Sequence, residues 1–97
     1  MHVLALKTLK QYWAQYPDAE GQLRAWYEDA KRTGWDTPTA IKNRYANASI
    51  LPNNRVVFDI KGNRYRLVVR INYRSGTVFI RFFGTHDEYN KIDATMI

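Results

Sequence analysis

The chain of 97 residues has no cysteine. That absence removes a disulfide framework and any thiolate metal site, and it suits a reducing compartment such as the cytoplasm. Histidine is nearly as scarce, with only His2 and His86, too few for a zinc motif. Asp59, Asp87, Glu88 and Asp93 show no two-metal spacing, so neither a metal nor a cofactor is expected. Long apolar runs are missing as well. In MHVLALKTLKQYW the short apolar patch is broken by Lys7 and Lys10, so it reads neither as a secretory signal nor as a membrane span. No G-x-x-x-x-G-K-[ST], G-x-G-x-x-G or G-x-S-x-G occurs, which leaves no Walker loop, dinucleotide fingerprint or nucleophile elbow. Without repeats, low-complexity tracts or linkers, residues 1–97 are expected to form one soluble domain with one core.

What the chain has in excess is positive charge. The formal net charge is +6 and the sequence pI about 9.8, which favours an anionic partner: nucleic acid, an acidic protein or a membrane surface. Residues 1–50 carry seven Lys and Arg against five Asp and Glu, whereas residues 51–97 carry eight against four, and six of those eight are arginine. Arginine presents a planar fork that matches a phosphate.

Periodicity divides the chain in two. Leu6, Leu9, Trp13 and Tyr16 recur at a helical spacing until Pro17, after which Asp18 is placed to cap a second helix carrying the stripe Leu23, Trp26, Tyr27 and Ala30. Gly34 is placed to end that helix. Thr37-Pro38 reads as an N-cap and first position of a short third helix through Ile41 to about Tyr45, and NASILPNN as a loop. The second half changes to a period of two. RVVFDI, RYRLVVRINY and TVFIRFF read as three antiparallel strands joined by the KGN and RSG turns, with Gly62 supplying a positive φ. The middle strand places Tyr65, Leu67, Val69, Ile71 and Tyr73 on one face and Arg64, Arg66, Val68, Arg70 and Asn72 on the other. In the last strand Val78, Ile80 and Phe82 form one apolar set, while Phe79 and Phe83 flank Arg81. The expected fold is α+β, with amino-terminal helices packed on one face of a small antiparallel sheet. Trp13 and Trp26 fall on core stripes, and Trp35 is expected in the core too.

The outer face then mixes arginines with aromatic rings, which suits RNA, with guanidinium for phosphate and rings for bases. It equally suits a second small core under a carboxy-terminal helix. After the last strand, Thr85-His86-Asp87-Glu88 is a capping box. The box accounts for Thr85 and Glu88 but requires neither His86 nor Tyr89, which lie three apart on one helical face. His86 in the first turn is favoured as neutral imidazole, able to accept a proton. Arg64, Arg66 and Arg70 read either as solubility charge that also guards an exposed strand face or, placed across the sheet from Arg81, as groups that converge on a phosphate and stabilise a pentacoordinate transition state.

The run VVFDIKGNRYRLVVRINYRSGTVFIRFFGTHDEYNKID resembles the HigB family of bacterial type II toxins, relatives of the RelE-like mRNA interferases. The likeness spans about residues 35–93, with FDIKGNRYRLVV and FFGTHDEYNKID its most specific parts. The resemblance implies a RelE-like fold and a toxin that enters the ribosomal A site and cuts mRNA. It also implies a cognate helix-turn-helix, HigA-like antitoxin that neutralises the toxin and links the pair to operator DNA. It carries catalytic roles onto His86, Tyr89, Arg66 and Arg70, and RNA contacts onto Lys61, Asn63, Arg64, Arg81 and Lys91. Members often have arginine where His86 stands, so the acid and base roles stay open. A non-catalytic RNA-binding or protein-interaction module with a basic face is the alternative.

Overall fold

The computed structural model describes residues 1–97. Helix α1 (Leu6–Gln15) buries Leu9 and Trp13, and α2 (Glu20–Arg32) buries Leu23, Trp26 and Ala30, so both helices turn the expected stripe inward. Between them Pro17–Ala19 makes a single 3-10 turn. Asp18 lies inside that turn and caps nothing; α2 starts at Glu20 with Ala19 at its N-cap. The carboxylate is used elsewhere, accepting from Tyr65 and Arg64. Helix α3 (Pro38–Arg44) begins as its sequence predicts, with Thr37 Oγ1 accepting from Ala40 N at 3.3 Å.

Five strands form one sheet in the order β1-β5-β4-β3-β2. The three expected strands are β3 (Arg55–Ile60), β4 (Tyr65–Asn72) and β5 (Thr77–Thr85), paired antiparallel. The other two correct the sequence reading. Ser49–Leu51, inside the segment read as a loop, is β2 and pairs antiparallel with Arg55–Val57. Asn53 and Asn54, both at φ 61°, turn the chain between them, a conformation that asparagine tolerates better than most residues. His2–Leu4 is β1, lying parallel to Thr77–Phe79.

A β-bulge decides which side chains of β5 face which way. Val69 pairs with Ile80 but Val68 pairs with Phe82, leaving Arg81 as the extra residue. Alternation therefore changes phase at Arg81. Val78, Ile80 and Phe83 join the main core, whereas Phe79 and Phe82 stand opposite Arg70 and Val68 on the outer face, so the expected grouping of Phe82 with Val78 and Ile80 is overturned. The main core holds α1 and α2 against Val56, Phe58, Leu67, Val69 and Ile71. At one end of it Trp35, fully buried as expected, stacks on Phe58 with ring centroids 5.7 Å apart, and Trp26 meets Phe58 at 5.4 Å. Truncating such a ring to alanine costs about 3–5 kcal/mol.

The outer face is neither bare nor wholly basic. Val57, Val68 and Phe82 form an apolar band across three strands, and the segment after β5 returns over it to seat Ala94, Ile97 and Tyr89 there. The expected small second core is thus present, but it is built on Phe82 rather than on Phe79 and Phe83, and arginines stand to either side of it.

Candidate active site

The single turn α4 (His86–Tyr89) follows β5 directly and is built as a capping box. Thr85 Oγ1 accepts from Glu88 N at 3.2 Å, and Glu88 Oε1 accepts from Thr85 N at 2.7 Å. The same Oε1 accepts from the Tyr16 hydroxyl at 2.8 Å, tying the turn to the end of α1. The Thr85 backbone bond, then the Tyr16 hydroxyl, hold the Glu88 carboxyl below its ordinary range, and the bond to Glu88 pushes the Tyr16 hydroxyl up. One residue earlier, Gly84 is buried opposite Arg66. A Cβ there would lie 2.8 Å from Phe82 Cζ and 2.9 Å from Glu88 Oε1, so the close fold of α4 onto the strand needs glycine.

His86 N donates to Arg64 O at 3.1 Å, which fixes the start of α4 against the beginning of β4. On the ring, Nδ1 lies 3.1 Å from the Asn90 amide nitrogen. In the tautomer where Nδ1 accepts that bond, Nε2 carries the proton, and the ring presents a donor rather than an acceptor to a substrate. Tyr89 is half-buried against the apolar band, and its hydroxyl makes no hydrogen bond within the chain.

Arg66 is the arginine nearest this turn in the sheet, since it pairs with Gly84 on one side and Asp59 on the other. Its side chain is only 12% exposed, and Nε lies 3.3 Å from Asp59 Oδ1. Nη2 donates to Asn63 Oδ1 at 2.6 Å. Arg70 shares the face but stands four residues on, roughly 13 Å along the strand, with the apolar band between. It is exposed, and its guanidinium rests 5.6 Å from the Phe79 ring centre.

The remaining expected residues divide. Arg64 precedes β4 and does not share the outer face; it turns to Asp18, donating at 2.6 Å, and that carboxylate also accepts from Tyr65 at 2.6 Å. Those two bonds, Tyr65 first, draw the Asp18 carboxyl below its usual range. Lys61 and Asn63 occupy the exposed β3–β4 turn, where Gly62 has the expected positive φ and Lys61 unexpectedly shares it, at 57°. Lys91 is exposed just beyond α4, and Arg81 is exposed at the bulge. Asp59, weighed in the sequence only as a metal ligand, was missed as a partner of Arg66; the signal was the pairing of FDIKGNRYR as a hairpin, which sets it directly across from that arginine. No three His, Asp or Glu side chains are grouped as metal ligands.

At one end of the sheet an imidazole, a phenol and a fixed guanidinium thus stand on neighbouring elements, in a basic α+β chain. Residues 19–92 match the model of a family described as HigB_toxin, RelE-like toxic component of a toxin-antitoxin system, and the chain belongs to that family. An antitoxin partner is implied by that description. The mRNA interferase HigB of Escherichia coli O6:H1 (strain CFT073) is 26% identical over 94 residues, covering 95% of this chain and 91% of that protein. The mRNA interferase toxin HigB of Escherichia coli K12 is 26% identical over 96 residues, covering 97% and 92%, and the mRNA interferase HigB of Shigella flexneri matches to the same extent. No helix is long and apolar enough to cross a membrane.

Proposed function

We propose that this chain acts as one toxin domain, residues 1–97, that cleaves mRNA on the ribosome in the cytoplasm. The observation that carries the reading is the placement of α4, which sets His86 at the end of β5 one strand away from a fixed Arg66, in a chain whose relatives are named mRNA interferases. The ribose 2′-oxygen attacks the adjacent phosphorus, a P–O2′ bond forms and the P–O5′ bond breaks. The products are a 2′,3′-cyclic phosphate and a 5′-hydroxyl. A proton leaves the 2′-hydroxyl and another reaches the departing 5′-oxygen, so one base and one acid are required. RNA is the substrate because DNA lacks that nucleophile.

His86 serves one of the two proton transfers: as the acid to the leaving 5′-oxygen it gives up the Nε2 proton of the imidazolium, and as the base it takes the 2′-hydroxyl proton on an unprotonated Nε2. Tyr89, with its hydroxyl free, orients the substrate or assists the other transfer. Arg66 stabilises charge on the pentacoordinate phosphorus. Arg70, Arg81, Lys61 and Lys91 contact the RNA around it, with Arg70 further from the reacting phosphate than its place in the sequence pattern implied; Asn63, read in the sequence as a further contact, has its side-chain oxygen on Arg66 instead. Arg64, bound to Asp18, supports the turn and contributes a backbone-side charge. So sparse a site works if the ribosomal A site aligns the mRNA, because positioning alone lowers a barrier by several kcal/mol. The antitoxin partner is a HigA-like helix-turn-helix protein, and operator DNA is reached through it.

Mapping new RNA 5′ ends in cells minutes after induction tests this, with His86→Ala induced in parallel. Expected are 5′-hydroxyl ends inside translated regions, in frame with codons, absent in the variant. Translation arrest without new ends would reassign the basic face to binding.

A further inference from the structure

Asn63 reads in the sequence as an RNA contact, yet its side-chain oxygen is already engaged by Arg66. Arg66 Nη2 donates to Asn63 Oδ1 at 2.6 Å, and Nη1 donates to Asn63 O at 3.2 Å and to Tyr65 O at 3.3 Å. Nε faces Asp59 Oδ1 at 3.3 Å. A guanidinium has five N–H donors in a rigid fork. The Asn63 and Tyr65 oxygens engage Nη1 and one Nη2 hydrogen, Asp59 pairs with the Nε edge as an ion pair, and the second Nη2 hydrogen has no partner. The turn that carries Asn63 is itself held: Arg64 N donates to Lys61 O at 3.2 Å, and Lys61 N donates to Gln22 Oε1 on α2.

We infer that Asn63 and Asp59 are positioning residues that lock the Arg66 guanidinium in one orientation, with the unpartnered Nη2 hydrogen left to meet a phosphate oxygen of the substrate. The inference rests on the RNA-cleaving reading above. An unheld arginine spreads over many rotamers, and ordering it during reaction would consume binding energy that a preset side chain leaves free. Asp59 also lowers the positive potential at Arg66, so the site holds the phosphate through geometry more than through bulk charge. Asn63 contributes the two oxygens that fix the plane of the fork, its side-chain carbonyl and its backbone carbonyl.

The test is a double-mutant cycle with two readouts. Single-turnover cleavage of mRNA on programmed ribosomes gives kcat and KM for wild type, Asn63→Ala, Asn63→Asp, Arg66→Ala and Asn63→Ala/Arg66→Ala. In parallel, a ¹H–¹⁵N spectrum of the free proteins, with Asp59→Asn added, follows the Arg66 Nε–H resonance. Expected is a loss of kcat of about tenfold in Asn63→Ala, the scale of one charge-assisted hydrogen bond, with KM nearly unchanged. Asn63→Asp, which keeps the acceptor, should recover most of it. The loss should vanish when Arg66 is already alanine, and the Nε–H resonance should broaden in Asn63→Ala and Asp59→Asn. A raised KM that persists in the Arg66→Ala background would overturn the inference and make Asn63 a direct RNA contact. A sharp, unshifted Nε–H resonance in both variants would overturn it on structural grounds alone. If the wild type cleaves no RNA, the functional reading fails while the resonance still decides whether the clamp exists.

Discussion

Arg66 and Arg70 are the same residue type, on the same face of the same strand, four positions apart. Their surroundings have little in common. Arg66 is 12% exposed and held by Asn63, Tyr65 and Asp59, whereas Arg70 is exposed and touches only the Phe79 ring. The difference comes from what stands opposite. At Arg66 the neighbouring strands supply a carboxylate and a glycine; at Arg70 they supply Arg55 and a phenylalanine. A side chain fixed before the substrate arrives can stabilise a transition state, while a mobile one contributes attraction and little alignment. On the proposed reading, the two arginines divide the tasks that were expected of both.

Removing the fixed member should do the most damage. Arg66→Ala is expected to lower single-turnover cleavage by a factor on the order of 10²–10³, the scale of losing one transition-state donor, with a smaller change in KM. Equal losses in Arg66→Ala and Arg70→Ala would erase the distinction. Next is the glycine that makes room beside Arg66. Gly84→Ala drives a methyl to within 3 Å of Phe82 and Glu88, and is expected to cost about 1–3 kcal/mol in chemical denaturation. An unchanged denaturation midpoint would show that Glu88 yields freely.

Arg70→Ala sharpens the comparison from the other side. It should raise KM a few-fold at low salt, leave kcat nearly intact, and reduce the slope of log affinity against log salt by about 0.7, the value for one phosphate contact to a single strand. The smallest effect concerns acid. The Glu88 and Asp18 carboxyls both titrate below their ordinary values in the folded chain. A depressed folded pKa stabilises above the unfolded value and is lost as pH falls through the folded one. Thermal melts should therefore fall as pH drops below about 4, and less steeply in Glu88→Gln, whose side chain carries no titrating group. Parallel wild-type and Glu88→Gln curves would remove α4 from the acid response.

The elements with long, strict patterns were legible in the sequence: the two stripes of α1 and α2, the Thr37-Pro38 start, the alternation of β4, and the capping box from Thr85 to Glu88. β1 and β2 were not, because three residues carry no measurable period. The bulge was hidden for another reason. In TVFIRFF nearly every position is apolar, so a change of phase at Arg81 leaves no trace in the pattern. Arg64 was misplaced because alternation was extended one residue past the strand, onto a turn where it has no force. The partners of Arg66 needed three dimensions, since an asparagine after a turn glycine reads as turn chemistry until its oxygen is seen to meet a guanidinium.

The parallel pairing of His2–Leu4 with Thr77–Phe79 joins segments 75 residues apart in the sequence. Synthesis runs from the amino-terminal side, so until β5 is made the first strand has no neighbour to pair with, and loop closure over such a span is slow. The edge that receives it is made only shortly before the turn that carries His86. A nascent chain still lacking residues 77–89 has neither a completed sheet nor the turn that carries His86, so the fold and its candidate site come into being together, late in synthesis.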